Sequence, residues 1–301
     1  MGLSVFDSPL LKEFIMSYKI ITDTCCDFPG EMYKELGLAV CPLGVLYKGQ
    51  VYTEYTESWL KDLYQGMRRG ETATTSAANP EDWAAVIEPV LQEGKDALVL
   101  AFSSGLSATY QNAAIAAEDL REKYPDRKIH VVDTLCASLG QGLLVYYACQ
   151  KRDEGLDLEQ LTAWVEENKG KLCHWVIADD LMYLKRGGRI SATTAVAGTL
   201  LQIKPVIHMD DQGHLVNVGK ARGRKAAIQT ICDKVGQTGI PGANDTIFIC
   251  HGDCEEDAKL LADMLKEKYG TKKVFYYYIG AVIGAHTGPG VMAVFYLGNE
   301  R

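Results

Sequence analysis

At 301 residues, with 47% hydrophobic and 23% charged side chains, the chain has the make-up of a soluble globular protein of one large or two ordinary domains. A formal net charge of −8 argues against nucleic acid as a partner and against residence on an anionic membrane surface, leaving only transient membrane contact. Nine cysteines, partly within apolar runs, suit reduced thiols of a cytoplasmic protein better than a disulfide framework, and no apolar run reaches membrane-spanning length.

Residues 1–15 lack the basic start and apolar core of a secretory leader, and read as an extension ahead of Met16. The run YKIITD (18–23) predicts a strand and PGEMYKEL (29–36) a short helix opened by Pro29. LAVCPLGV (38–45) predicts a second strand, and YKGQVYTEY (47–55) a small polar hairpin. Helices are expected at 58–69 and 80–93, the second with Asn79 as N-cap and Pro80 at its first turn. Strand ALVLA (97–101), helix 106–124, strand IHVVD (129–133) and helices 138–153 and 157–169 complete this half. Short apolar strands alternating with helices imply an α/β fold whose sheet is mostly parallel and covered on both faces. From CHWVIA (173–178) onward strands follow one another through short turns: a hairpin 205–209/214–219, then DTIFIC, KVFYYY and VMAVFYLG, with helices at 223–236 and 254–269. The expectation is an α/β domain over 16–172 and an α+β domain over 173–301.

Two hydroxyl-rich stretches stand out. FSSGLSATY sets Ser103, Ser104, Ser107, Thr109 and Tyr110 around Gly105 where a strand hands over to a helix. TATTSAANP (72–80) also leads into a helix start. Three readings compete: an N-cap from Ser104 or Ser107, a serine nucleophile, or a receptor for a carboxylate or phosphate at a helix N-terminus. The nucleophile elbow is incomplete, because Thr109 stands where G-x-S-x-G needs its second glycine. No Rossmann or P-loop motif survives inspection, since GQGLLV and GHLVNVGKA both break the required spacing. CHGDC (250–254) reads as buried thiols with a helix cap at Asp253, not as a metal site. Lys185, Arg186 and Arg189 in YLKRGGRIS, with Lys220, Arg222, Arg224 and Lys225 in GKARGRKA, form a basic set suited to an acidic or phosphorylated partner. GAHTGPG holds His286 and Thr287 in what reads as a tight glycine loop.

Taken together, KIITDTCCDFP, CPLGV, TTSAANPEDW, FSSGLSATYQNA, VVDTLCASLGQG, DDLMYLKRGGRIS, LLQIKPVIH, KARGRKA, HGD and GAHTGPG resemble the DegV family of bacterial fatty-acid-binding proteins. The resemblance runs in order from Met16 to the end of the chain. It implies a two-domain DegV-like fold with a long-chain fatty acid, of the palmitate or oleate class, in a tunnel between the domains and no other cofactor. It also implies a non-enzymatic carrier that presents the carboxylate to an ATP-dependent fatty acid kinase subunit, giving acyl phosphate for phospholipid synthesis. Carried over by motif, Thr75 and Ser107 are the carboxylate-binding pair, with Ser76 and Ser104 as neighbours and His286 beside the head group. Arg186 and Arg189 fall near the mouth, and Lys220 and Arg222 face the partner or a phosphate. The chain departs from the family pattern at Ala108, at Ala77–Pro80 and at Thr24–Cys26. A serine hydrolase using Ser107, with His286 as base, is the rival reading.

Burial of roughly fifteen methylenes at about 0.8 kcal/mol each would hold such a ligand mainly by its tail. Neutral hydroxyl donors then suffice for the head, at about 1.5–3 kcal/mol per hydrogen bond to a charged group.

Overall fold

The computed structural model describes residues 17–190, 202–299 and 301, so the expected extension 1–15 lies outside the described residues. YKIITD and DALVLA are almost wholly buried, as a strand covered on both faces requires, and they become β1 (Tyr18–Asp23) and β6 (Asp96–Ala101). They pair in parallel at the centre of a sheet completed by β2 (Ala39–Cys41) and β7 (Ile129–Asp133), in the order β2-β1-β6-β7. Helices α1 (Gly30–Glu35), α3 (Pro80–Gln92), α4 (Thr109–Lys123), α5 (Leu139–Asp153) and α6 (Leu158–Lys169) accompany it. Asn79 caps α3 in a reciprocal box with Asp82, as its sequence position predicts.

LAVCPLGV is two strands, not one. Pro42 has no N–H to continue a ladder, and the chain leaves the parallel sheet there. It re-enters as β3 (Gly44–Tyr47), which pairs with β4 (Gln50–Tyr52) and with β5 (Ala73–Ser76) in a small antiparallel sheet. The threonine-rich stretch 72–80 therefore begins as a strand. Helix α2 (Glu57–Arg68) lies between β4 and β5 in the chain.

The remaining strands form one mixed sheet in the order β10-β9-β8-β13-β11-β12. These are β8 (Leu172–Ile177), β9 (Ile203–Met209), β10 (Leu215–Arg222), β11 (Thr246–His251), β12 (Lys273–Tyr278) and β13 (Met292–Leu297). One face, carrying Trp175, Ile177, Ile249 and Val294, packs with residues of α8 (Arg224–Thr238) and α9 (Glu255–Tyr269) in a core of its own. The opposite face, carrying Ile207, Cys250, Ala293 and Phe295, belongs to the larger core that also holds the parallel sheet.

Two short helices were missed by periodicity: α7 (Met182–Arg186) and α10 (Ala281–Thr287). GAHTG reads as a loop because of its glycines, yet each has a local reason. A Cβ on Gly284 would fall 2.4 Å from the Tyr64 hydroxyl, so the helix needs glycine where α2 crosses it. Gly288, at φ +78°, ends α10 and donates its amide to Gly284 O.

Candidate ligand site

A cavity of about 280 Å³ lies over the open face of the mixed sheet, with walls from both sides of residue 172. Its floor follows from strand register. Ile207, Val176, Ala293 and Cys250 are direct cross-strand neighbours on β9, β8, β13 and β11, and all four line the cavity. With strands about 4.8 Å apart, this row crosses the sheet for about 14 Å. His174 and Phe295, the adjacent pair on β8 and β13, are bulkier and make one bank of the groove. Phe102, Leu106, Val282 and Ile283 close over it from the loop after β6 and from α10.

The polar side chains gather at one region. Thr75 Oγ1 and His286 Nε2 are joined by a 2.7 Å hydrogen bond. Burial, aided by the charge of Arg189, pulls the His286 pKa down to about 4, so the ring is neutral at physiological pH. Ser107 Oγ accepts the Thr109 amide and lies 2.8 Å from the Thr109 hydroxyl. Arg189 Nε donates to Leu106 O at 3.1 Å, and its Nη1 donates to Gly187 O. Among the described residues no carboxylate pairs with Arg189. The wall thus carries a guanidinium beside its neutral donors, where neutral donors alone were expected.

A second cavity, of about 360 Å³, shares Thr75, Arg189 and His286 with the first and adds Thr72, Thr74, Tyr183 and Arg186. Arg186 lies over the Tyr183 ring, 4.6 Å from its centroid. Gly187 makes this junction possible, because a Cβ there would come 2.3 Å from His286 Nδ1. Gly187→Ala is therefore expected to displace the imidazole and break its bond to Thr75. A ligand held through that hydroxyl should bind about tenfold more weakly, measured by titration of the variant against the parent.

The expected site residues divide. Thr75, Ser76, Ser107, His286 and Arg189 line the first cavity, and Arg186 lines the second. The remaining expected residues line neither cavity. Ser104 is not on either wall, and its amide is spent on Asp133. Lys220 and Arg222 stand exposed on edge strand β10 and line neither cavity. Arg224 is tied to Asp257 at 2.7 Å and to Gly290 O, so it braces the fold. Neither serine takes the cap position of α4, which falls to Ala108 with Ser107 one residue before it. Asp253, expected as a helix cap, instead receives Arg68, and Cys254 holds the cap position. Among the described residues no cluster of His, Cys, Asp or Glu is arranged to hold a metal ion.

Residues that sequence reasoning missed are Ser138, His174 and Cys250, all on the cavity wall. His174 is wholly engaged: Nδ1 donates to Leu172 O and Nε2 accepts the Ala137 amide. Burial, with Arg301 nearby, drops its pKa to about 3.

The family profile described as "Uncharacterised protein, DegV family" matches residues 17–299. The chain belongs to the DegV family. A DegV domain-containing protein of Clostridium perfringens is 44% identical over 293 residues, covering 97% of this chain and 99% of the relative. A DegV family protein from Thermus thermophilus, described by its fatty acid binding, superposes with a TM-score of 0.82 at 32% identity, over 94% of this chain and all of that one. DegV from Bacillus subtilis, described as a fatty acid binding protein, gives a TM-score of 0.78 at 28% identity, over 94% of this chain and all of that one. Ser107 and His286, the pair a hydrolase would need, have other partners in this DegV chain: Thr109 and Thr75 respectively. No described helix is long and apolar enough to cross a membrane.

Proposed function

We propose that the protein binds a long-chain fatty acid, its tail in the sheet groove and its carboxylate at Thr75 and Ser107, and that it performs no chemistry alone. The ligand then lies between the two domains of this reading, 16–172 and 173–301. The observation that carries it is one cavity with an apolar floor of Ile207, Val176, Ala293 and Cys250 and a hydroxyl-bearing end. The polar end orients itself. A neutral His286 with its proton on Nε2 donates to Thr75 Oγ1 and leaves the threonine proton for the carboxylate. Ser107 Oγ accepts the Thr109 amide, so its own proton is likewise available. Arg189 adds a charge that the described residues do not neutralise.

Presentation to an ATP-dependent kinase subunit in the cytoplasm, forming acyl phosphate, fits the second cavity. It opens against the same Thr75, Arg189 and His286 and is rimmed by Arg186, where a phosphoryl donor would have to approach. Lipid extracted from protein expressed in bacteria should contain a long-chain fatty acid identifiable by mass spectrometry. Thr75→Ala and Ser107→Ala should each weaken rebinding by at least about tenfold, the value of one hydrogen bond to a charged group. Absence of lipid together with no binding of added palmitate or oleate would remove this reading.

A further inference from the structure

We propose that Ser138 is a second polar station inside the cavity, and that the ligands of this site include acyl chains bearing a mid-chain hydroxyl or other oxygen. The proposal rests on the fatty-acid reading above and adds a substrate class to it.

Ser138 lines the cavity and is 4% exposed. Its backbone sits at φ 54° and ψ −147°, a region nearly reserved for glycine, which costs a serine on the order of 1–3 kcal/mol. Helix capping does not account for the residue, because its side chain makes no cap hydrogen bond to α5. What it does touch is Asp27, through a hydrogen bond between Ser138 Oγ and Asp27 Oδ2. Asp27 is itself 4% exposed, and its Oδ1 lies against Gly280 without completing a hydrogen bond.

Burial raises the Asp27 pKa to about 8, so at neutral pH the carboxyl mostly keeps its proton. A neutral carboxyl donates to Ser138 Oγ, and the serine proton is then free to turn into the cavity. In that state the hydroxyl can donate to a ligand ether or ketone, or exchange hydrogen bonds with a ligand hydroxyl. The competing partner within the cavity is the Cys250 thiol, a weak acceptor. His174 cannot serve instead, since both its ring nitrogens are occupied.

The station stands away from the head-group end. Asp27 packs beside Gly280, ahead of α10, and His286 is six residues further along, about 9 Å at helical rise. A chain anchored at Thr75 would therefore meet Ser138 along its length. Burying an alkyl hydroxyl with no partner costs about 1–3 kcal/mol, and Ser138 removes that cost.

The test uses delipidated full-length protein and a positional series of monohydroxystearates beside stearate. At least one isomer is expected to bind the parent protein as tightly as stearate or more so. Ser138→Gly, which removes the hydroxyl and suits the positive φ, should weaken that isomer about tenfold relative to stearate. If every isomer binds the parent more than about tenfold worse than stearate, the station is refuted while the fatty-acid reading stands. An equal loss of both acids in Ser138→Gly refutes it as well. Should the variant fail to fold, the parent series still decides the matter. Failure of stearate itself to bind would overturn the fatty-acid reading and this proposal with it.

Discussion

Ala293→Phe should empty the site. Ala293 sits at the middle of the floor row, between Val176 and Cys250, and is the smallest side chain in it. A phenyl group there would take the space of about five methylenes, each worth about 0.8 kcal/mol, so about 4 kcal/mol or roughly a thousandfold in affinity is at stake. The new ring would project into existing space, and the opposite face of β13 would keep its packing against α8 and α9. Fluorescent fatty-acid displacement reports the affinity, and circular dichroism the fold. Undiminished affinity in a folded variant would mean that the chain does not run along this row.

Asp27→Asn should change the pH dependence of stability more than any other single substitution considered. The Asp27 carboxyl is raised from 3.8 to about 8 by burial, against the pull of Ser138. Its contribution is complete below pH 3.8 and is lost as pH rises toward 8, because the unfolded chain ionises first. By linkage a rise of that size corresponds to a loss on the order of 6 kcal/mol. Asp23, raised to about 6 by burial, acts in the same direction. His174 and His251, lowered by burial to about 3 and about 4, act the other way and erode stability as pH falls below 6.5. Asparagine mimics the neutral carboxyl and can donate to Ser138. Urea unfolding should show parent and variant most alike near pH 4 and the variant progressively more stable toward pH 8.5. Equal differences at the two pH values would refute a buried, proton-bearing Asp27.

The parallel sheet was legible because its strands are short, apolar and separated by helices such as Pro80–Gln92, capped by Asn79. Thr75 and Ser107, which line the cavity, were singled out only through the family resemblance; taken alone, the stretch around Ser107 fitted a helix cap as well as a receptor. What escaped was determined by distant partners. The strand at Ala73–Ser76 has no apolar alternation and is defined by its pairing with Gly44–Tyr47. The helix holding His286 was hidden by Gly284, which is required by a tyrosine 220 residues earlier, Tyr64. Asp27 and Ser138 lie 111 positions apart, and nothing near either one announces that they meet under the cavity.

One asymmetry of the mixed sheet has a practical consequence. Helices α8 and α9 seal one side of it, whereas the other side joins the larger core and keeps a cavity that the proposed ligand would fill. A guest bound there would become an interior building block, and its occupancy would feed back on folding by mass action, about 2.7 kcal/mol at a hundredfold excess over the dissociation constant. Stripped preparations should soften early on heating and stick to detergents and plastic, whereas loaded ones endure.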